Sequence, residues 1–292
     1  MVTTIGNPLS WAASSLDRSR HRLGDGTGEI IGDDTAPITL NRLDLEDISI
    51  ALRKGLDDFM ALRTDVMFIV LVYPVIGLLL ARFALDRNML PLLFPLVSGF
   101  ALLGPVAALG LYEMSRRREK GMKTGWGDAF AILASPSFFP ILLLGAYLLV
   151  IFSLWMVTAY FIYSVTLGPE APASAMAFLR DIFTTGAGWT MLITGMATGF
   201  VFAAIVLAAT LISFPMLVDR HVGLTRAVAA SLRLARANPA VTAAWGATVA
   251  VLLALGIMTF FIGLILVLPV LGHATWHLYR RAVVPAVPMP RP

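Results

Sequence analysis

Residues 240–279 read AVTAAWGATVAVLLALGIMTFFIGLILVLPVLGHATWHLY, forty positions without one Lys, Arg, Asp or Glu. An α-helix rises about 1.5 Å per residue, so one helix of this length would reach about 60 Å, twice the roughly 30 Å hydrocarbon core of a bilayer. A single span cannot take it up, so the run must fold back on itself. The turn is expected near Gly256 to Gly263, which leaves two spans, Ala240–Ile257 and Thr259–Tyr279.

The same length criterion, carried outward, finds four more apolar stretches: Val66–Ala84, Met89–Glu113, Phe138–Tyr163 and Met191–Val218. A short Asp86-Arg87-Asn88 turn joins the first two. Composition agrees, with 58% hydrophobic and only 14% charged residues. Soluble domains carry roughly 45–50% and about 25%, so the excess apolar surface needs lipid around it. The absence of cysteine excludes disulfides, zinc ribbons and thiol catalysis. A net charge of +4 is modest and is met by basic loops facing anionic lipid, with no nucleic acid implied.

Lys and Arg are unevenly shared between the two sides of a six-span arrangement. Nineteen fall in the N-terminal arm and lead-in, the second and fourth connections and the tail; only Arg82, Arg87 and Arg180 fall opposite. The positive-inside rule then puts both termini in the cytoplasm. Residues 1–43, mixed in Ser, Gly, Asp and Thr, are expected to form a disordered cytoplasmic arm. Residues 44–281 hold the six-helix transmembrane domain, and 282–292, with Pro285, Pro288, Pro290 and Pro292, form a cytoplasmic tail.

A second regularity precedes each hairpin. Ile48, Leu52, Leu56, Phe59 and Met60 share one helical face, with Arg53, Lys54, Asp57 and Asp58 on the other. Trp126, Ala129, Phe130 and Leu133 repeat the pattern, as do Leu224, Val228, Leu232 and Ala235 opposite Arg226, Arg233 and Arg236. The latter two segments stop at Ser135-Pro136 and Asn238-Pro239, the first at Thr64-Asp65. The expected fold is all-α and polytopic: three transmembrane hairpins, each introduced by a cytoplasmic amphipathic helix.

No charged residue lies in the middle of a span, which weighs against ion-coupled transport. Pro74, Pro95, Pro105, Pro215 and Pro269 interrupt spans, and Gly195, Gly199 and Ala203 form a small-residue stripe suited to close helix packing. Polar residues gather at the inner ends of the even-numbered spans. Glu113, Arg116, Asp219, Arg220 and Tyr279 make a candidate structural cluster, and His273 and His277, four apart, share a helical face that His221 can join from a neighbouring helix. That histidine set is a candidate metal or haem site. No catalytic residue is identified: the serines lack arranged His and Asp partners, and no cofactor is otherwise predicted.

The stretch from Phe94 to Pro105, continuing through Gly110-Leu111-Tyr112-Glu113, with Ser213 to Arg220 and Gly272-His273-Ala274-Thr275-Trp276-His277, resembles an uncharacterised family of proteobacterial integral membrane proteins, a domain of unknown function. The resemblance covers about residues 44–281, implies a bacterial inner-membrane protein, and supplies no reaction. Taken together, the expected role is a non-enzymatic accessory, scaffold or assembly factor, with the bilayer and another inner-membrane complex as partners. The alternatives are a transporter or channel for a neutral or amphiphilic solute, and a metal- or haem-handling protein using the three histidines.

Overall fold

The computed structural model describes residues 36–86 and 89–284, which are helical almost throughout. Residues 1–35 of the expected arm 1–43, residues 285–292 of the expected tail 282–292 and the turn residues Arg87 and Asn88 lie outside the described residues, whereas the arm's described end pairs with the tail's described start. The first helix, α1 (Leu45–Asp86), runs unbroken for 42 residues. The expected stop at Thr64-Asp65 is absent because neither residue is a Gly or Pro, the usual causes of a helix break.

The second apolar stretch is interrupted, as a 3-10 turn (Leu90–Leu92), α2 (Leu93–Leu102), α3 (Gly104–Ala107) and α4 (Leu109–Glu119). Pro105 offers no N–H, so the helix tightens around it: the Leu103 N–H donates to the Phe100 carbonyl at 3.1 Å and the Val106 N–H to the Leu103 carbonyl at 3.0 Å. Trp126–Ala134, expected as an amphipathic α-helix, is a 3-10 helix. With about three residues per turn, Ala129 and Ile132 share its buried side while Leu133 faces out.

The remaining helices are α5 (Phe138–Thr166), α6 (Ala175–Thr184), α7 (Gly186–Thr210), α8 (Ser213–Asp219), α9 (Leu224–Ala237), α10 (Pro239–Met258) and α11 (Leu264–Ala282). Three stretches are long and apolar enough to cross a membrane: α5, α7 continued into α8, and α10. Pro74–Leu85 and Leu90–Leu102 are shorter apolar segments.

The long apolar run turns at residues 259–263, within the interval expected from its length. Phe260 and Phe261 adopt φ of 52° and 66°, which non-glycine residues hold only when their surroundings fix them. The fixing group is Thr259, whose hydroxyl donates to the Gly256 carbonyl and accepts the Gly263 N–H, both at 2.8 Å.

Between α7 and α8 the helix breaks four residues before Pro215, whose ring and missing N–H disturb the preceding turn. The groups freed there are taken up by Ser231 of α9. Its hydroxyl donates to the Ala208 carbonyl at 2.7 Å and accepts the Ile212 N–H at 3.3 Å. A break in a membrane helix persists only where a neighbour supplies such partners.

Buried side chains concentrate where the first half of α1, α4, α8, α9 and the second half of α11 meet. Here a short antiparallel bridge pairs Leu40 with Val283. The Asn41 N–H donates to the Ala282 carbonyl at 2.9 Å and the Val284 N–H to the Thr39 carbonyl at 3.1 Å, and Arg281 pairs with Asp47. We call this the clasped end. Toward the opposite end, large apolar side chains stand open, with Phe200 at 75% and Phe260 at 84% exposure. Water would not tolerate a belt of this extent, whereas lipid does.

Candidate functional site

Two close contacts made by glycines at the clasped end position a polar cluster. A Cβ on Gly55 of α1 would stand 2.6 Å from the Ala274 nitrogen, and one on Gly272 would stand 2.4 Å from Leu111 Cδ1. α11 therefore meets α1 at backbone distance, and its Gly272 receives the Leu111 side chain of α4. Asp58 lies three residues beyond Gly55, Ser115 four beyond Leu111, and His273 and His277 flank the Ala274 contact. The three helices thus bring these side chains to one point.

Asp58 is buried at 2% exposure. It accepts hydrogen bonds from the Ser115 hydroxyl at 2.5 Å and from His277 Nε2 at 2.9 Å, and it pairs with Arg118. Burial by itself would raise the carboxyl's pKa. The hydrogen bonds from His277 and Ser115, with the charges of His277 and His273, outweigh it and hold the group at about 2 instead of 3.8.

Ionised Asp58 is acceptor-only, so the single proton of Ser115 points to it. The Ser115 oxygen must then accept from His273 Nδ1, 2.7 Å away. His273 then carries a proton on Nδ1, and its ring is fully buried. The chain His277, Asp58, Ser115, His273 runs from a partly exposed ring to a buried one.

A second cluster adjoins the first. Tyr279 donates to Asp219 at 2.8 Å, and Arg280 reaches both Asp219 at 3.4 Å and Glu119 at 3.0 Å. Trp276 Nε1 donates to Glu119 at 3.0 Å. In a third, Glu113 pairs with Arg116 at 2.7 Å and Arg117 at 2.8 Å, and Arg117 continues to Asp128 at 2.5 Å. The Arg116 pKa is raised, chiefly by its hydrogen bonds to Glu113, with a smaller contribution from the charge of Asp219.

Of the residues singled out from sequence, Glu113 and Arg116 are bonded to each other, Asp219 is bonded to Tyr279, and Arg220 follows Asp219 at the end of α8. His277 bonds Asp58 and His273 bonds Ser115, whereas His221 bonds Ser137 at 2.9 Å. Among the described residues no group of three or more His, Asp or Glu side chains is arranged to hold a metal ion. In the small-residue stripe, Gly199 packs under the Trp155 ring of α5, at 3.1 Å from a would-be Cβ, while Gly195 has nothing within 4 Å.

Sequence reasoning missed Asp58, Ser115, Arg118 and Glu119. Asp58, on the charged face with Arg53, Lys54 and Asp57, is the one of these four that is buried, at 2% exposure. The available signal was Ala51 and Gly55, small residues four apart that permit close approach on the same side as Asp58.

Residues 93–219 match the model of a family described as predicted integral membrane protein (DUF2189), whose function is unknown. The match takes in two of the three motifs that carried the expected resemblance, those at 94–113 and 213–220, and is shorter than the expected 44–281. No curated protein and no solved structure matches the chain.

Proposed function

We propose that this integral membrane protein is a non-catalytic accessory or scaffold subunit of a larger bacterial inner-membrane assembly. It crosses the bilayer six times as three hairpins, with both termini cytoplasmic. The observation that carries this reading is the consumption of the polar residues at the clasped end by one another. Asp58, Glu113, Glu119 and Asp219 are each bonded to cations or donors from neighbouring turns or helices. Groups spent in this way hold helices in register and are poorly placed to turn over a substrate. The lopsided Lys and Arg distribution supports the orientation.

A transporter built on broken helices needs freed backbone groups directed at a solute path. Here Ser231 takes up those at the α7–α8 break, and Trp155 Nε1 donates to the Pro95 carbonyl at 3.0 Å, both as packing contacts. The scaffold reading is tested by affinity purification from native membranes in mild detergent, followed by mass spectrometry. A stoichiometric membrane partner is expected. A chain that runs alone at its own mass in detergent and in native nanodiscs would refute it.

A further inference from the structure

We propose that α6 lies in the membrane–water interface at the end of the bundle away from the clasp, with Met176, Leu179 and Phe183 sunk among lipid. Three arcs divide the surface of this helix. Ile182 is buried and Phe178 meets Tyr163 of α5 edge-on, ring centroids 6.2 Å apart, so this arc docks on the protein. Arg180, Asp181 and Thr184 form a polar arc. The arc between them holds Met176, Leu179 and Phe183, all open, with Met176 at 75% exposure.

The helix is held at a fixed corner. Ser174 caps its start by accepting the Ala177 N–H at 3.1 Å, and a Cβ on Gly188 would stand 2.2 Å from the Asp181 carbonyl oxygen. The corner joins the open arc to a span. Phe183 packs edge-on against Trp189 at 6.2 Å, and Trp189 Nε1 donates to the Phe183 carbonyl at 3.2 Å. From Trp189 the open row continues down α7 through Ile193, Met196 and Phe200.

α7 is long and apolar enough to cross the membrane, so its open row faces lipid. An apolar arc continuous with that row through a half-exposed tryptophan faces the same medium. The polar arc beside it then meets the headgroups, the arrangement of an interfacial amphipathic helix.

The chain has no cysteine, so single labels are unambiguous. Met176→Cys, Leu179→Cys and Thr184→Cys are each spin-labelled in the full chain, in vesicles of phosphatidylethanolamine and phosphatidylglycerol. Collisions with oxygen and with a water-soluble nickel chelate are compared. An oxygen-to-nickel accessibility ratio roughly threefold or more higher at 176 and 179 than at 184 is expected for a face sunk in the interface. Equal, nickel-favoured collisions at all three positions would overturn the proposal. Labels at 176 and 179 shielded from both reagents would also overturn it, since protein and not lipid would then cover the arc. No partner protein is needed, so the scaffold reading and this one fail separately.

Discussion

Asp58→Asn isolates what the buried charge contributes. The carboxylate accepts from Ser115 at 2.5 Å and from His277 at 2.9 Å through one oxygen and pairs with Arg118 through the other. An amide of the same shape keeps a carbonyl for Ser115 and His277 but turns an NH2 toward Arg118. Two charge-assisted hydrogen bonds become neutral ones, a loss of about 1 kcal/mol each. The Arg118 side chain is 42% exposed and can turn to water, so its lost pairing adds less than about 1 kcal/mol. The sum, about 2–3 kcal/mol, agrees with the about 2 kcal/mol implied by a carboxyl held at about 2 instead of 3.8. Thermal unfolding in mild detergent should show Tm lower by roughly 5–10 °C. Asp57→Asn, at an exposed neighbouring position, should stay within about 0.5 kcal/mol of the parent. If both variants melt with the parent protein, the network does not hold the three helices together and the argument for it fails.

Low pH should act on the same group. Because the folded pKa of Asp58 is depressed, its contribution is complete above about pH 4 and is lost as pH falls through about 2; melting curves across that range should show the loss, and Asp58→Asn should flatten it. Gly55→Val places side-chain atoms against the Ala274 and Val270 backbone, at 2.6 and 2.7 Å for the first carbon alone, and should destabilise by about 3 kcal/mol or more. Gly104→Ala, with nothing within 4 Å, should be neutral or stabilising by up to about 1 kcal/mol, and the yield of folded protein in membranes compares the two. Ser231→Ala strands the Ala208 carbonyl and the Ile212 N–H and should cost about 1–3 kcal/mol, read as lower Tm and faster hydrogen exchange at 208–213.

What length and proline could dictate was legible in advance. The forty-residue run had to turn, and it turns at 259–263; Pro105 and Pro215 mark real breaks. The amphipathic pattern separated apolar from charged faces but did not show which residues pack most tightly. In α1 the most buried are Ile48, Ala51, Gly55 and Asp58, and in α9 they are Ala227, Ala230, Ser231 and Leu234, with Leu224, Val228 and Ala235 partly buried against the core. Where lipid is the solvent, large apolar groups lose nothing by facing outward, and small residues mark the contacts because they let backbones approach. Glu113, Arg116, Asp219 and Tyr279 draw notice as polar residues at span ends, and the structure bonds Glu113 to Arg116 and Asp219 to Tyr279. Asp58 carries no such signal, because burial there depends on a helix more than two hundred residues later. α6 went unread because ten residues in a connection carry no span-length signal.

The pairing of residues 39–58 with 273–284 also sets an order of assembly. Leu40 with Val283, Asp47 with Arg281, and Asp58 with His277 are contacts between the two extremes of the described chain. Closing so long a loop carries an entropic cost that grows only slowly with its length. It cannot begin, however, until α11 has been made. The first half of α1 can meet Ser115 and Arg118 of α4 beforehand, so Asp58 waits only for His277 of α11. Truncation before His273 removes the His277 bond and leaves Asp58 with Ser115 and Arg118 beside the groove that takes α11. In topological terms the described helices form a ring closed by α11 on α1, so the contacts that seal it are those of highest sequence separation and the slowest to form.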